Sequence, residues 1–259
     1  MKLRLIHQLA RSGGTLVNRL LLAQGVAVLS EVHPLGWANL DPLAQARDWF
    51  GLIGADDLQG QDGLPYADAL ALIADKARRK RRPLAIRDWS HLDFMPIGMG
   101  LKPALVSAQA AVLASRFDLL RVVTVRHPLD QWLSLAAMLT SEGRPPRQAE
   151  LEHWLDGMVA FAVMAAATGF VRYEDIAADP AAGMEELCRK LDLPFDPARL
   201  EGWRETTQFS TGGVPGRAAS STAIERLEPR PAPLHILHRL NRDRRYRQAL
   251  ELLGYEVWA

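Results

Sequence analysis

The amino-acid sequence predicts an α/β fold of three layers, a central parallel sheet flanked by helices. Three observations predict it. Short aliphatic and β-branched runs alternate with segments of helical period along the whole chain. Polar clusters follow those runs where strands of a parallel sheet would end, the edge on which doubly wound folds keep their ligands. With 259 residues, 48% of them hydrophobic, the chain can bury a full core. It is long for one compact domain but within the range of α/β domains. One domain over 1–259 is therefore expected.

The first strand is placed at residues 2 to 7, where Leu3, Leu5 and Ile6 make a short buried run. The run breaks into the basic, glycine-paired stretch Arg11, Ser12, Gly13, Gly14 and Thr15, and Leu16, Val17, Leu20, Leu21 and Ala23 then recur at helical spacing as far as Gln24 and Gly25. A strand, a turn and a helix in that order form a candidate phosphate cradle. The glycines let the backbone approach an anion, Ser12 and Thr15 offer hydroxyls, and the helix start presents N–H groups at its positive dipole end. Arg11 supplies a cation. The other reading of the stretch is a plain tight turn. The ATP-binding pattern G-x-x-x-x-G-K-[ST] is absent, because its lysine and its first glycine are both missing.

Residues 26 to 29 predict a second buried strand, with Ser30, Glu31, Val32 and His33 leaving its carboxyl end. Glu31 and His33 are there either as solvated loop residues or as reactive groups. Residues 35–63 mix Trp37, Trp49 and Phe50 with Gly, Asp and Pro and keep no clean period. They are expected to be a partly helical insertion that could wall a pocket. Leu70, Leu72, Ile73 and Ala77 define an amphipathic helix from Tyr66 to Lys80, ending in the basic run Arg78 to Arg82 that complements the helix dipole. Residues 83 to 87 make a third strand, followed by Asp88, Trp89, Ser90 and His91. His91 is a general-base candidate that Asp88 could orient, or a satisfied structural histidine.

A helix is predicted from Pro103 to Ser115, and the β-branched run at 119–125 is the clearest central strand. Arg126 follows it, Pro128 starts a helix, and Ser134 lies nearly two turns along, so that one guanidinium and one hydroxyl could clamp a second phosphate. A buried helix covers Met158 to Phe170, and a short strand lies at 169–172. The chain closes in a helical part at 234–259, with short Arg-rich helices at 234–240 and 242–253.

A formal charge of +1 gives no global reason to expect nucleic acid or an anionic membrane as partner. No apolar run reaches the ~18 residues of a membrane span, and the N-terminal stretch is too short and too charged for a signal core. A soluble cytoplasmic protein is expected. The single cysteine, Cys188, excludes an intrachain disulfide, and it shares an apolar helical face with Met184 and Leu187, which suits packing. No metal is implied, because the histidines form no ligand-spaced cluster.

The loop from Arg11 to Thr15 resembles the 5′-phosphosulfate loop of the sulfotransferases that use 3′-phosphoadenosine 5′-phosphosulfate (PAPS). Arg126 and Ser134, in the pattern R-x-P-x-x-x-x-x-S, resemble that family's 3′-phosphate site. The stretch Val171, Arg172, Tyr173, Glu174, Asp175, with Asp179 and Pro180 and the helix after them, is similar to the family's tyrosine-glutamate-aspartate segment. Gly212 to Arg217 resembles its nucleotide-closing loop. The sequence departs from the family's loop at Ala10, where proline is common, and at Gly14, where a hydroxyl residue is common.

The resemblance implies a P-loop-like fold and a single sulfotransferase-like domain. It implies transfer of a sulfuryl group from PAPS, without a metal, to a hydroxyl or amine of a small-molecule or glycan acceptor. By the same resemblance Ser12, Gly13, Gly14 and Thr15 hold the 5′-phosphate, Arg126 and Ser134 the 3′-phosphate, Tyr173 the adenine, and Arg217 belongs to the closing loop. Arg11 stabilises the leaving phosphate, and the general base is Glu31 or, in second place, His91. Losing a hydroxyl at Gly14 is expected to weaken the hold on the 5′-phosphate. Two other readings stay open: a small-molecule kinase on a degenerate P-loop, and a nucleotide-binding protein without catalysis. Acceptor identity and oligomeric state are not legible.

Overall fold

The computed structural model describes residues 1–36, 40–59, 63–206, 223–225 and 228–258. Strands β1 (Lys2–Gln8), β2 (Ala27–Val32), β3 (Leu84–Trp89), β4 (Asp118–Val125) and β5 (Phe170–Arg172) form one sheet in the order β2-β3-β1-β4-β5. Every pairing is parallel. The helices are α1 (Gly14–Ala23), α2 (Pro42–Asp48), α3 (Tyr66–Arg79), α4 (His91–Phe94), α5 (Ala108–Leu113), α6 (Pro128–Ser141), α7 (Gln148–Thr168), α8 (Tyr173–Ala178), α9 (Pro180–Lys190), α10 (Leu234–Arg242) and α11 (Arg244–Leu253). The predicted α/β fold with a central parallel sheet is the one observed.

One apolar cluster joins β1, β2 and β3 to α1, α2, α3 and α9 through residues such as Ile6, Val17, Leu20, Val28, Ala46, Ile73 and Leu187. A second joins the carboxyl end of β4 to α4, α6, α7, α10 and α11 through Val123, Val125, Phe94, Trp154, Leu240 and Leu250. Cys188 is buried in the first cluster, and burial pushes its thiol up to about 11, so it packs rather than reacts.

The chain runs from β1 to β2 on one side and reaches β4 and β5 on the other, so the loops after β1 and β4 face the crevice at the reversal of strand order. The register makes the two loops start level: Gln8 at the end of β1 pairs with Trp89 and with Thr124.

Three elements differ from expectation. Strand β2 continues through Glu31 to Val32; Glu31 takes a positive φ of 59° and the pairing with β3 shifts between Ser30 and Val32, which makes Glu31 the extra residue of a bulge. The expected helix from Pro103 to Ser115 shortens to α5, because Ser107 caps it with its Oγ accepting from Ala110 N at 3.1 Å and Leu105 takes a positive φ of 59°. In the insertion at 35–63, α2 covers the open edge of β2: the Gln45 side chain accepts from Ser30 N at 2.7 Å and donates to Ser30 O at 2.9 Å. Those two bonds satisfy backbone groups that an edge strand would otherwise leave open. Among the described residues, no helix is long and apolar enough to cross a membrane.

Candidate active site

The loop after β1 is built by its glycines. Gly13 caps α1 at φ 87°, and a Cβ there would stand 2.2 Å from the Tyr173 ring. Both the left-handed backbone and the close approach of the ring require glycine. Arg11 also takes a positive φ, 67°, a conformation that costs a non-glycine residue about 1–2 kcal/mol and directs its side chain toward α6. There its Nε donates to Ser134 Oγ at 3.3 Å. Helix α1 begins at Gly14, and Leu16 N and Val17 N donate to the Gly13 carbonyl at 3.0 and 3.2 Å, so the first-turn N–H groups with no partner within the helix are those of Gly14 and Thr15. Thr15 is exposed, whereas Ser12 is buried.

Arg126 leaves β4 and turns into the same place. Its Nη1 donates to the carbonyl of Arg11 at 3.1 Å, its Nη2 pairs with Asp130, and its guanidinium lies over the Tyr173 ring at 5.0 Å. Its Nε is buried with no hydrogen-bond partner. The residues of both predicted phosphate sites, Arg11 to Thr15 with Arg126 and Ser134, therefore converge at one edge of the sheet, with Tyr173 between them. The Arg230 backbone N–H donates to Asp130 at 3.1 Å. Burial lowers the pKa of Arg11, and the neighbouring charges of Arg230 and Arg126 lower it further. A site that crowds guanidinium groups in this way favours an anionic ligand. Arg230 is a cation that sequence reasoning missed. Arg217 and the rest of the expected closing loop lie outside the described residues.

Gly14 faces a second missed residue. A Cβ on Gly14 would meet Nη1 of Arg87 at 2.6 Å and Oε1 of Gln8 at 2.7 Å. The buried Arg87 also donates from Nε to Ser30 Oγ at 3.1 Å and pairs with Glu31 at 3.0 Å. At the position where the family's loop commonly carries a hydroxyl, this chain therefore brings up a guanidinium from β3. The signal in the sequence was a lone arginine at the end of a buried strand.

Glu31 and His91 come together on the β2 and β3 side. The Glu31 side chain is about a third exposed, at 32%. His91 is buried, with its Nδ1 unpartnered. Burial lowers its pKa to about 4 against a smaller opposing pull from Glu31, so the ring is neutral near pH 7. Asp88 does not orient it. The Asp88 Oδ2 accepts from His7 Nδ1 at 2.8 Å and from Ser90 Oγ at 2.7 Å, while Arg121 Nε donates to His7 Nε2 at 3.0 Å. Successive strand residues face opposite sides of the sheet, so Arg87 and Asp88 cannot both face the loop. Asp88 belongs to this buried network.

His33 also serves structure. Its Nδ1 accepts from Leu35 N at 3.1 Å, so the ring proton sits on Nε2, which donates to Asp93 at 3.1 Å. Among the described residues, His33, Asp88 and Asp93 offer possible metal-ligand atoms within 4.8 Å of one another. The tautomer fixed by Leu35 leaves His33 no lone pair at Nε2 to give.

Residues 109–197 match the model of the sulfotransferase family. Among solved structures, the chain is similar to the sulfotransferase domain of the Synechococcus PCC 7002 olefin synthase, at 19% identity over 100% of this chain and 96% of that one, with a TM-score of 0.66. It is similar also to the sulfotransferase domain of the curacin biosynthetic pathway, at 17% identity over 99% of each chain, with a TM-score of 0.62. No curated protein sequence matches. At these identities the solved structures establish the fold; the segment that matches the family model is the one that contains Arg126, Ser134 and Tyr173.

Proposed function

We propose that the protein transfers a sulfuryl group from PAPS to a hydroxyl or amine of a small-molecule or glycan acceptor. The observation that carries this reading is the bond from Arg126 Nη1 to the Arg11 carbonyl. It knits the 3′-phosphate motif to the 5′-phosphate loop closely enough for a single nucleotide to meet both. The unpartnered buried Nε of Arg126 and a glycine loop closed on both sides by Tyr173 and Arg87 fit such a nucleotide.

When bound, PAPS supplies an activated sulfuryl group whose leaving group is adenosine 3′,5′-bisphosphate. Ser12, Gly13, Gly14 and Thr15 hold the 5′-phosphate through backbone N–H groups and hydroxyls, with Arg87 as an added cation. Arg126 and Ser134 hold the 3′-phosphate, and Tyr173 contacts the adenine. Arg11 stabilises the charge that grows on the departing 5′-phosphate oxygen. The acceptor atom bonds to sulfur as the sulfur–oxygen bond to the phosphate breaks, and Glu31 takes the acceptor proton. The pairing with Arg87 at 3.0 Å ties the Glu31 carboxylate to the guanidinium that borders the glycine loop. His91, neutral and close by, is the second choice.

Calorimetry with adenosine 3′,5′-bisphosphate against magnesium-ATP separates this reading from the kinase. Binding of the bisphosphate alone is expected; binding of ATP with magnesium and not of the bisphosphate would defeat the proposal. Labelled-sulfate transfer to a library of hydroxyl acceptors separates it from a non-catalytic binder. Arg126→Ala should weaken donor binding by about 10- to 100-fold, the worth of one charge-assisted hydrogen bond. Glu31→Gln should slow turnover by about 10²- to 10⁴-fold with bisphosphate affinity nearly unchanged. Unaltered turnover in that variant would move the base to His91.

A further inference from the structure

Helix α11 ends at Gly254, whose φ of 64° turns the chain back across the start of α6. Arg172 fixes that return, its guanidinium donating to Leu253 O at 2.8 Å and to Gly254 O at 2.6 Å and lying over the Tyr255 ring at 4.9 Å. Residues 255–258 then enclose His127. Trp258 stacks on its ring at 3.9 Å and 13°, Tyr255 meets it edge-on at 5.1 Å, and the His127 Nε2–H donates to Glu256 O at 3.1 Å. His127 is the residue after Arg126 and the cap of α6, the helix that carries Asp130 and Ser134.

One carboxylate links the returning segment to the backbone at that point. Glu174 accepts from His127 N through Oε1 at 2.9 Å and from the Tyr255 hydroxyl through Oε2 at 2.6 Å. The preceding residue, Tyr173, lies under the Arg126 guanidinium. Two consecutive side chains of α8 thus grip two consecutive residues after β4, and the returning segment holds one of them in place. Of these groups only Arg126 and Tyr173 border the glycine loop.

We propose that Tyr255 and Trp258 are positioning residues: acting through Glu174 and His127, they hold the backbone from which Arg126 reaches the 3′-phosphate of the donor. They set the affinity for that phosphate without touching it. The inference rests on the assignment of Arg126 to the 3′-phosphate. A carboxylate that accepts both the backbone N–H and the phenol fixes the strand-to-helix turn in two directions, and a guanidinium displaced by a fraction of an ångström loses the geometry of its hydrogen bonds.

The test measures Kd by calorimetry for adenosine 3′,5′-bisphosphate and for adenosine 5′-monophosphate, which lacks the 3′-phosphate. It compares the wild type with Arg126→Ala, Tyr255→Phe and Trp258→Ala, and adds KM for the donor and kcat for each. The ratio of the two Kd values isolates the contribution of the 3′-phosphate. Tyr255→Phe should reduce the wild-type preference for the bisphosphate by about fivefold, the worth of one hydrogen bond, and Trp258→Ala by at least as much. The monophosphate affinity should hold, and donor KM should rise with kcat kept within about twofold. An unchanged preference in both variants, while Arg126→Ala removes it, overturns the positioning role alone. Equal loss of affinity for both nucleotides, in step with a lowered Tm, also overturns it. A wild type that binds the two nucleotides equally overturns the parent assignment together with this one.

Discussion

Gly14→Ser would restore the hydroxyl that the family's loop commonly carries, and sequence reasoning expects it to tighten the hold on the 5′-phosphate. The structure predicts the opposite. To reach the 3.4 Å of ordinary contact, Arg87 Nη1 at 2.6 Å and Gln8 Oε1 at 2.7 Å must each retreat by about 0.8 Å or slightly less. Both are the ends of side chains that are already committed. Gln8 Nε2 donates to Ser12 O at 3.1 Å, which holds the loop itself, and Arg87 is tied to Ser30 and Glu31. Losing one neutral hydrogen bond costs about 1 kcal/mol, and loosening a charge-assisted pair about 1.5–3 kcal/mol. The free protein should therefore lose about 2–4 kcal/mol, or about 5–15 °C in Tm for a domain of this size. The new hydroxyl gains at most about 1.5–3 kcal/mol, in the bound state only, and it displaces a cation to do so. Thermal unfolding with calorimetric Kd for adenosine 3′,5′-bisphosphate should show a lower Tm and no gain in affinity. Tighter binding at an unchanged Tm would refute the idea that Arg87 stands in for the missing hydroxyl.

Three other predictions test the frame around the site. Gly157 on α7 lies against α4, and a Cβ there would stand 1.9 Å from the Phe94 carbonyl oxygen, so Gly157→Ala should cost about 2–4 kcal/mol despite alanine's better helix propensity; a denaturation midpoint equal to wild type would contradict this. Burial lowers the pKa of both His91 and His127 to about 4. Their contribution is therefore complete above the unfolded value near 6.5 and is lost as pH falls from about 6.5 toward 4, by up to about 3 kcal/mol each. Stability measured against pH should fall in that window, and His91→Asn should remove about one proton from the slope; a flat profile between pH 6.5 and 4 would contradict it. Asp88→Asn breaks the buried His7 network and should lower stability by about 2–4 kcal/mol, with turnover per folded molecule unchanged. Turnover lost at full stability would return Asp88 to the chemistry.

The sheet was legible because its strands are short β-branched or aliphatic runs with glycine, proline or charged residues at their ends; the run at 119–125 differs from β4 by one residue. Arg126 and Ser134 were legible because Pro128 starts a helix and the spacing from there is set by the helix itself. What the sequence hid depends on long-range geometry. A bulge at Glu31 needs the pairing with β3 to be seen, and the approach of Arg87 to Gly14 joins residues on different strands with opposite signals, one charged and one without a side chain. Asp88 and His91 sit three residues apart and read as partners, yet the alternation of β3 turns Asp88 toward His7 on β1. The shortened α5 is a contest between the helical pattern from Pro103 and the cap at Ser107, which the cap wins. The folding-back of residues 254–258 onto His127 has no local signal beyond Gly254 and three aromatic or apolar residues.

The central claim is that one nucleotide spans the loop at 11–15 and the pair Arg126 and Ser134. A crystal structure of the protein with adenosine 3′,5′-bisphosphate tests it most directly. The 5′-phosphate is expected on the backbone N–H groups of Gly13 to Thr15, with the 3′-phosphate within hydrogen-bond distance of the Arg126 guanidinium and the Ser134 hydroxyl. A nucleotide bound elsewhere, or one whose 3′-phosphate points away from Arg126 into solvent, would contradict the account.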